Sequence, residues 1–481
     1  MARAPKKLTK PKVSKPSEAP KVKAASGDYE STRYNNGRRS FLFLATAQDQ
    51  KRDLTAGARL EMLRKMRWGE RNSGPIRAMV NDLVLYTVGD GFSAQPSTAD
   101  SDWNARALAY WNNATKRIDI TGRFSFNELL RIAERRWVVD GDFFLGKVRN
   151  GSGVAKLQGI EAHRVANPTD GDIPANMFDG VMSGAYGEVT AFNVIRSDGT
   201  SRQILANSMM QVCDAEFVSG VRGLPIMQHS WNDLQDLMEI LALEKKAVKD
   251  HGHITRVLKR NGGEFGDLAS EISSNPSAAN AIQNGGGGDF IALEPGEDLD
   301  LKASQRPNSN FLGFIGEVLA DAHRGVMPVE FNDPSKLTSA AVRLIVAKMD
   351  RVASRHQGLL IDKVCNPTWG YLIGDAIANG DLPDNPDWYK VSWTTPKRVT
   401  VDAGREAAND RADIEMGLMS MSELYSQRGM DFREEMQKRA QDMAFIRDLA
   451  VSSGVPFELL YKMTNVQPGT TTAQPGTTPT P

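Results

Sequence analysis

The chain has 481 residues, 40% of them apolar, and its 59 Lys and Arg are balanced by 59 Asp and Glu. Such a length suits roughly two to four domains or one elongated multi-part subunit, with enough apolar residues for sizeable cores. Zero net charge argues against a conventional DNA-binding domain, which grips phosphate with excess cations, yet it permits a wall along which DNA slides. Two cysteines, Cys213 and Cys365, lie far apart with no His or Cys at ligand spacing, and read as buried thiols in a reducing compartment. No apolar run approaches the length of a membrane span, and the basic N-terminus lacks the apolar core of a secretory signal.

Residues 1–38 are polar, with eight Lys or Arg against one Glu before Ala24. Nothing there repeats with an apolar period, so a disordered arm is expected, acting as a solubilising tail or a weak nucleic-acid contact. Residues 50–90 read as two helices, with Leu60, Leu63 and Met66, then Ile76, Met79, Val80 and Leu83, at spacings of three and four. Asn72-Ser73-Gly74-Pro75 divides them, with Pro75 suited to a first helical turn. The stretch ends in Val88-Gly89-Asp90-Gly91-Phe92, where the resemblance given below implies a strand. Residues 101–147 carry helical stripes through Trp103, Leu108, Trp111, Leu129, Leu130, Ile132, Ala133 and Trp137. Then Asp140-Gly141-Asp142 turns and Phe143-Phe144-Leu145 begins a strand.

Gly141-x-x-x-x-Gly146-Lys147 fits most of a phosphate-binding loop. The next residue is Val148 rather than the Ser or Thr that holds Mg²⁺, and bulky residues fill the middle, so nucleotide binding is not expected. Residues 153–220 alternate short apolar runs with turns, as in an antiparallel sheet. His163 has no carboxylate and nucleophile around it in sequence and reads as a hydrogen-bonded structural histidine. Arg222-Gly223-Leu224-Pro225-Ile226 leads into a long amphipathic helix with Leu234, Leu237, Met238, Leu241 and Ala242. His251-Gly252-His253 lacks a third ligand and reads as a solvated helix end. Between 252 and 305, glycines at 262–263 and 285–288 flank a short helix, EFGDLASEIS, and GGDFIALEPGEDLDLK reads as strand-turn-strand.

Residues 307–364 form the most informative unit. Phe311, Phe314, Ile315, Val318, Leu319 and Ala322 make one apolar stripe on a helix that stops at Gly325. VMPVEFNDPSK follows, where Pro328 and Pro334 prevent helix. Thr338 or Ser339 then caps a longer helix. Its apolar face is expected at Ala341, Leu344, Ile345, Met349, Val352, Leu359 and Leu360, with Arg343, Lys348, Arg351 and Arg355 opposite. An end is expected near Asn366-Pro367. Beyond Trp369, Trp388 and Trp393 come Pro396, Asp402, Gly417, Ser420 to Glu423, and Arg428-Gly429-Met430-Asp431 among helical patterns. Residues 467–481 are low in complexity.

Five of these stretches, in this order over residues 50 to 447, resemble the lambda family of phage portal proteins. They are RWGERNSGPIRAMVNDLVLYTVGDGF, the Trp103-to-Phe144 pattern, RGLPI with its long helix, RGVMPVEFND with TSAAVR, and the closing Trp393-to-Asp431 pattern. One departure is Thr338-Ser339 where the family has Ser-Ser; a Gly-rich 253–305 is another. The resemblance implies an α+β portal-type subunit with a mixed α/β wing, a helical stem, a clip and a helical crown. It divides the chain into the arm (1–38), wing (39–222), first stem helix (223–252), clip (253–305) and second stem helix (306–325). A tunnel loop (326–337), the wing helix and remaining wing (338–400), crown (401–450) and C-terminal tail (451–481) follow.

The resemblance also implies a structural protein, not an enzyme, without cofactor, metal or membrane. Its copies form a ring, usually of twelve, at a capsid vertex in the virion after assembly in the host cytoplasm. Double-stranded DNA passes through the ring for packaging and ejection. The implied partners are the terminase large subunit at the clip, a head-tail adaptor and the major capsid protein. The implied DNA-facing loop residues are Val326, Met327, Pro328, Val329, Glu330, Phe331, Asn332, Asp333 and Lys336. Glu239, Glu244, Glu317 and Asp321 are candidates for an acidic channel wall. Rival readings are another phage structural or adaptor protein, or a nuclease or NTPase acting on DNA. The enzymes need a carboxylate cluster or a complete phosphate loop, and neither motif is present.

Overall fold

A computed structural model describes residues 49–169, 172–253, 256–259, 290–293, 309–328, 338–397, 399, 403–430 and 432–464. The N-terminal arm, the EFGDLASEIS segment and residues 467–481 lie outside these. Helices and strands are both abundant and largely segregated, so the fold is α+β. The chain forms two compact units. One holds Met1–Val80, Arg136–Phe144 and Ile160–Val329; the other holds Asn81–Arg135, Leu145–Gly159 and Glu330–Pro481.

The first unit begins with the short α1 (Gln50–Asp53), then α2 (Ala56–Asn72) and the start of α3 (Gly74–Thr87). Thr55 caps α2, its hydroxyl accepting from the Ala58 amide at 3.2 Å. Leu63, Met66, Ile76, Met79 and Val80 are buried, as the spacing predicts, but Leu60 is 38% exposed and Met62 takes its place in the core. Strands β4 (Met177–Phe178), β5 (Val181–Ser183), β6 (Val189–Ile195) and β7 (Ser201–Leu205) form an antiparallel sheet in sequence order. Phe144, Ile160, Val165, Val181, Phe192, Val194 and Met209 make the core against it. Helix α6 (Trp231–His253) follows, and α7 (Ser309–His323) packs against it. Strands β9 (Arg256–Lys259) and β10 (Phe290–Leu293) pair in parallel. Strand β10 is the first strand of the expected strand-turn-strand, and its partner β9 lies some thirty residues upstream; the turn and second strand fall outside the described residues.

In the second unit, residues 88–91 form a turn, with Gly89 and Gly91 at φ 47° and 118°. The strand expected to begin at Val88 starts only at β1 (Ser93–Pro96), because those backbone angles cannot continue a strand. Strand β1 pairs antiparallel with β11 (Val391–Thr394), from Ser93↔Thr394 to Pro96↔Val391. Helices α4 (Ser101–Ala114) and α5 (Phe126–Asp140) precede β2 (Asp142–Arg149) and β3 (Ala155–Glu161). Strand β2 lies between β3 and β8 (Met209–Cys213) in a three-stranded sheet.

An aromatic cluster centres on Trp111, whose ring lies 5.2 Å from Phe126, 5.3 Å from Trp369 and 5.4 Å from Trp393. The indole N–H groups of Trp369 and Trp393 are satisfied. Trp369 donates to the Trp388 carbonyl at 3.0 Å, and Trp393 to Asn366 Oδ1 at 2.8 Å.

The long helix α8 (Ser339–Leu360) is capped by Thr338, whose hydroxyl accepts from the Ala341 amide at 3.4 Å. Its buried face is Ile345, Met349, Ala353, His356 and Leu360. Leu344, expected on that face, is 59% exposed. Steps of four, four, three and four from Ile345 leave Leu344 a quarter-turn outside the stripe. The helix also does not stop at Asn366-Pro367. A π-helical turn, Ile361–Cys365, carries it into α9 (Asn366–Ala378). Proline lacks an N–H and crowds the carbonyl four residues back, and the wider turn relieves that clash at Lys363.

Helices α10 (Ala403–Glu415), α11 (Met421–Gln427), α12 (Phe432–Ser453) and α13 (Phe457–Thr464) complete the unit. The Ser420 hydroxyl accepts from the Glu423 amide at 3.1 Å, so the Ser-x-x-Glu motif is a helix cap. The tail expected from residue 451 is helical as far as Thr464, apart from the turn at 454–456. Phe457, Leu460 and Tyr461 give FELLYKMT an apolar side, and α13 packs on α12. Cys365 is fully buried, which pushes its thiol pKa well up. Cys213 is only partly buried.

Candidate functional site

The described part of the candidate site is the end of α7 and the root of the loop after it. Gly325 sits at φ 86°, the left-handed conformation that ends a helix. The amides of Val326 and Met327 both donate to the His323 carbonyl, at 3.0 and 3.1 Å. Val326 and Met327 are 3% and 4% exposed. They are therefore anchors at the root of the loop and not members of an outward-facing set. Pro328 is half-buried. Val329, Glu330, Phe331, Asn332, Asp333 and Lys336 lie outside the described residues.

Of the candidate wall carboxylates, Glu239, Glu317 and Asp321 are exposed and Glu244 is half-buried. Arg324 bridges two of them, with Nη2 2.5 Å from Glu317 Oε1 and Nη1 2.7 Å from Asp321 Oδ1. All three side chains are more than half exposed, so the bridge adds little stability, but it halves the negative charge at this end of α7. The clamp was legible in the spacing, since Arg324 stands three residues after Asp321 and seven after Glu317.

The RGLPI stretch has a different role from the helix it introduces. The Arg222 guanidinium is buried, binds Asp142, and donates to the carbonyls of Val165 and Asp179 at 2.7 Å and of Ala162 at 3.0 Å. Arg59 binds the Asp179 side chain, also fully buried. Beside them Arg67 holds Asp140 at 2.5 and 2.8 Å and reaches Glu161 at 3.1 Å. Burial outweighs these partners and raises the Asp140 pKa. This network ties α2, α5, β2 and the sheet together. Sequence reasoning missed it, because the partners are 43 to 120 residues apart.

Gly141 is followed by β2, which runs through Lys147, as the strand expected from Phe143 anticipates. Gly141 has φ 90°, and a Cβ there would stand 2.6 Å from the Gly223 carbonyl oxygen, so the glycine permits backbone packing rather than phosphate access. Lys147 lies 6.0 Å from the centre of the Tyr371 ring, and burial lowers its pKa. His163 is partly exposed between Arg67 and Glu161. Among the described residues no three His, Cys, Asp or Glu are placed to hold a metal, and no helix is long and apolar enough to cross a membrane.

The model of the lambda family of phage portal proteins matches residues 37–357, two thirds of the chain, from before α1 to the last turn of α8. The chain belongs to that family. Its membership makes it a portal protein, a structural component of phage particles. A chain from the neck of a native gene transfer agent particle, computed with C12 symmetry, is 15% identical with a TM-score of 0.47, covering 77% of this portal and 93% of that chain. A chain from the virion of that native particle is 14% identical with a TM-score of 0.46 and the same coverage. An HK97-family phage portal protein from Corynebacterium diphtheriae is 12% identical with a TM-score of 0.26, covering 60% and 94%. No curated protein matches the chain.

Proposed function

We propose that copies of this portal close into a head-to-tail ring of twelve, and that double-stranded DNA moves through its centre during packaging and ejection. The observation that carries this is the family match across residues 37–357, which includes α7, the loop after it and most of α8. In this reading residues 1–38 are an arm, 39–222 and 338–400 the wing, and 223–252 and 306–325 the stem. Residues 253–305 are the clip, which meets the terminase large subunit, and 326–337 the tunnel loop. The crown is 401–450, extended by the helix that continues past it. A head-tail adaptor and the major capsid protein are the other partners. Assembly takes place in the host cytoplasm and the product resides at one vertex of the virion.

Two physical features support the reading. Leu243 is 65% exposed, Leu418 73%, Phe445 67% and Val451 81%. Large apolar side chains so exposed on a single chain mark surfaces that a partner covers, and a rotationally closed ring offers each copy two neighbours. Glu239, Glu317 and Asp321 are exposed carboxylates, and such groups repel phosphate, which suits transport without tight or sequence-specific contact. Negative-stain microscopy of the purified chain tests the proposal. Rings with a central hole are expected; a protein that stays monomeric at every concentration overturns it.

A further inference from the structure

Helix α12 is long and almost uncovered. Of its 22 residues Ala450 alone is buried, and it packs on α11 and α13. A helix left in water has no use for apolar patches, yet α12 carries two. Between α12 and α13 lies an open hollow of about 780 Å³, lined by Met443, Ala450, Val451, Val455 and Phe457, with Arg447 in its wall. Elsewhere on α12, Phe445 is 67% and Leu449 41% exposed. Each stands two residues from Arg447, which at about 100° per residue puts both on the side of α12 away from the hollow. Four residues apart, they adjoin one another. One helix thus has an apolar projection on one side and an apolar recess on the other.

The charges beside the two patches are opposite. Asp442 and Asp448 each stand three residues from Phe445 and border the projection; both are exposed, as is Arg447 at the recess. Bringing a projection to a recess therefore sets acids against a base, whereas two projections brought together set acid against acid.

We infer that Phe445 and Leu449 of one copy seat in the hollow between α12 and α13 of the next, with Asp442 and Asp448 against its Arg447. The inference rests on the ring reading above and deepens it, by placing a subunit contact well beyond residue 357, where the family match ends. Unlike patches on opposite sides of one helix make a head-to-tail contact, which leaves each copy one free projection and one free recess until the ring closes. Val455 and Phe457 lie past residue 450, where the crown was expected to end, and they wall the recess. The segment expected as a tail thus takes part in holding the subunits together.

The test uses the full chain in two ways. First, Phe445→Cys/Val455→Cys, made together with Cys213→Ser, is oxidised mildly and run on a denaturing gel. Copies joined projection to recess link into a covalent ladder that climbs beyond two copies, and either new cysteine alone gives no ladder. Second, the protein concentration at half-assembly is measured by mass photometry on dilution. We expect Phe445→Gln/Leu449→Gln and Arg447→Glu each to raise it at least about tenfold, as loss of a central anchor or of its charge partner does. Arg447→Glu/Asp442→Arg/Asp448→Arg reverses the charges on both sides and recovers most of that loss. These side chains are exposed, so the melting of the unassembled chain does not change. Rings with no ladder, a ladder that stops at two copies, or half-assembly unchanged in the variants each overturn the inference and leave the ring reading standing. A wild-type chain that stays monomeric at every concentration overturns the ring reading itself.

Discussion

Arg222 and Asp142 form a two-pronged ion pair in which both side chains are 0% exposed, with Nε 2.5 Å from Oδ2 and Nη2 3.1 Å from Oδ1. With the three carbonyls of Ala162, Val165 and Asp179, all five guanidinium N–H groups are used. The Phe144 ring lies under the cation at 5.2 Å. A buried charge is tolerable only when so completely paired. Replacing Arg222 by Ala strands Asp142 and three carbonyls, and the expected loss is about 3–5 kcal/mol. Arg222→Lys keeps the charge but not the fork, and is also destabilised. Denaturant unfolding measures both; wild-type stability in Arg222→Ala would show that the pair contributes nothing.

Leu344 and Met349 give a paired prediction on one helix. Met349 is 0% exposed and Leu344 is 59% exposed. Met349→Asp buries an unpaired charge and is expected to cost several kcal/mol, whereas Leu344→Asp stays within about 0.5 kcal/mol of wild type. Thermal melting of the two variants side by side decides it, and a reversed order would mean that the helix is rotated.

His163 makes stability depend on pH. Burial, then the neighbouring Arg67, lowers its pKa in the folded chain. The unfolded chain takes up this proton near pH 6.5, and the folded chain only at lower pH. Below about pH 6.5 the unfolded state therefore binds more protons, and stability falls until the folded histidine is charged as well. The melting temperature of His163→Gln should decline less between pH 7 and pH 5 than that of wild type. Parallel declines would remove His163 from the account.

The loop after α7 is testable by deletion, and the burial of Val326 and Met327 sets its limits. Removing Val329 to Asp333 spares both anchors. Ring formation should survive, while capsids reconstituted with the deletion variant should protect shorter DNA or lose it on standing. Full-length DNA, stably retained, would deny the loop any part in gripping.

The sequence by itself determined the helices of residues 56–87, the antiparallel strands after 155, a cap at Thr338 or Ser339, and the family. Each depends on residues a few positions apart, where apolar period, cap and turn act locally. It also placed Arg343, Lys348, Arg351 and Arg355 on one face of a helix. Tertiary structure alone decided that Leu344 lies off the buried stripe, that a π-turn carries the chain through Pro367, and that β1 meets β11 nearly three hundred residues later. It also made Arg222 the centre of a buried network. The reason is common to all of these. Which side of a helix is buried, and which carboxylate meets which arginine, depend on partners brought together only by folding, and their separation in sequence carries no period to read.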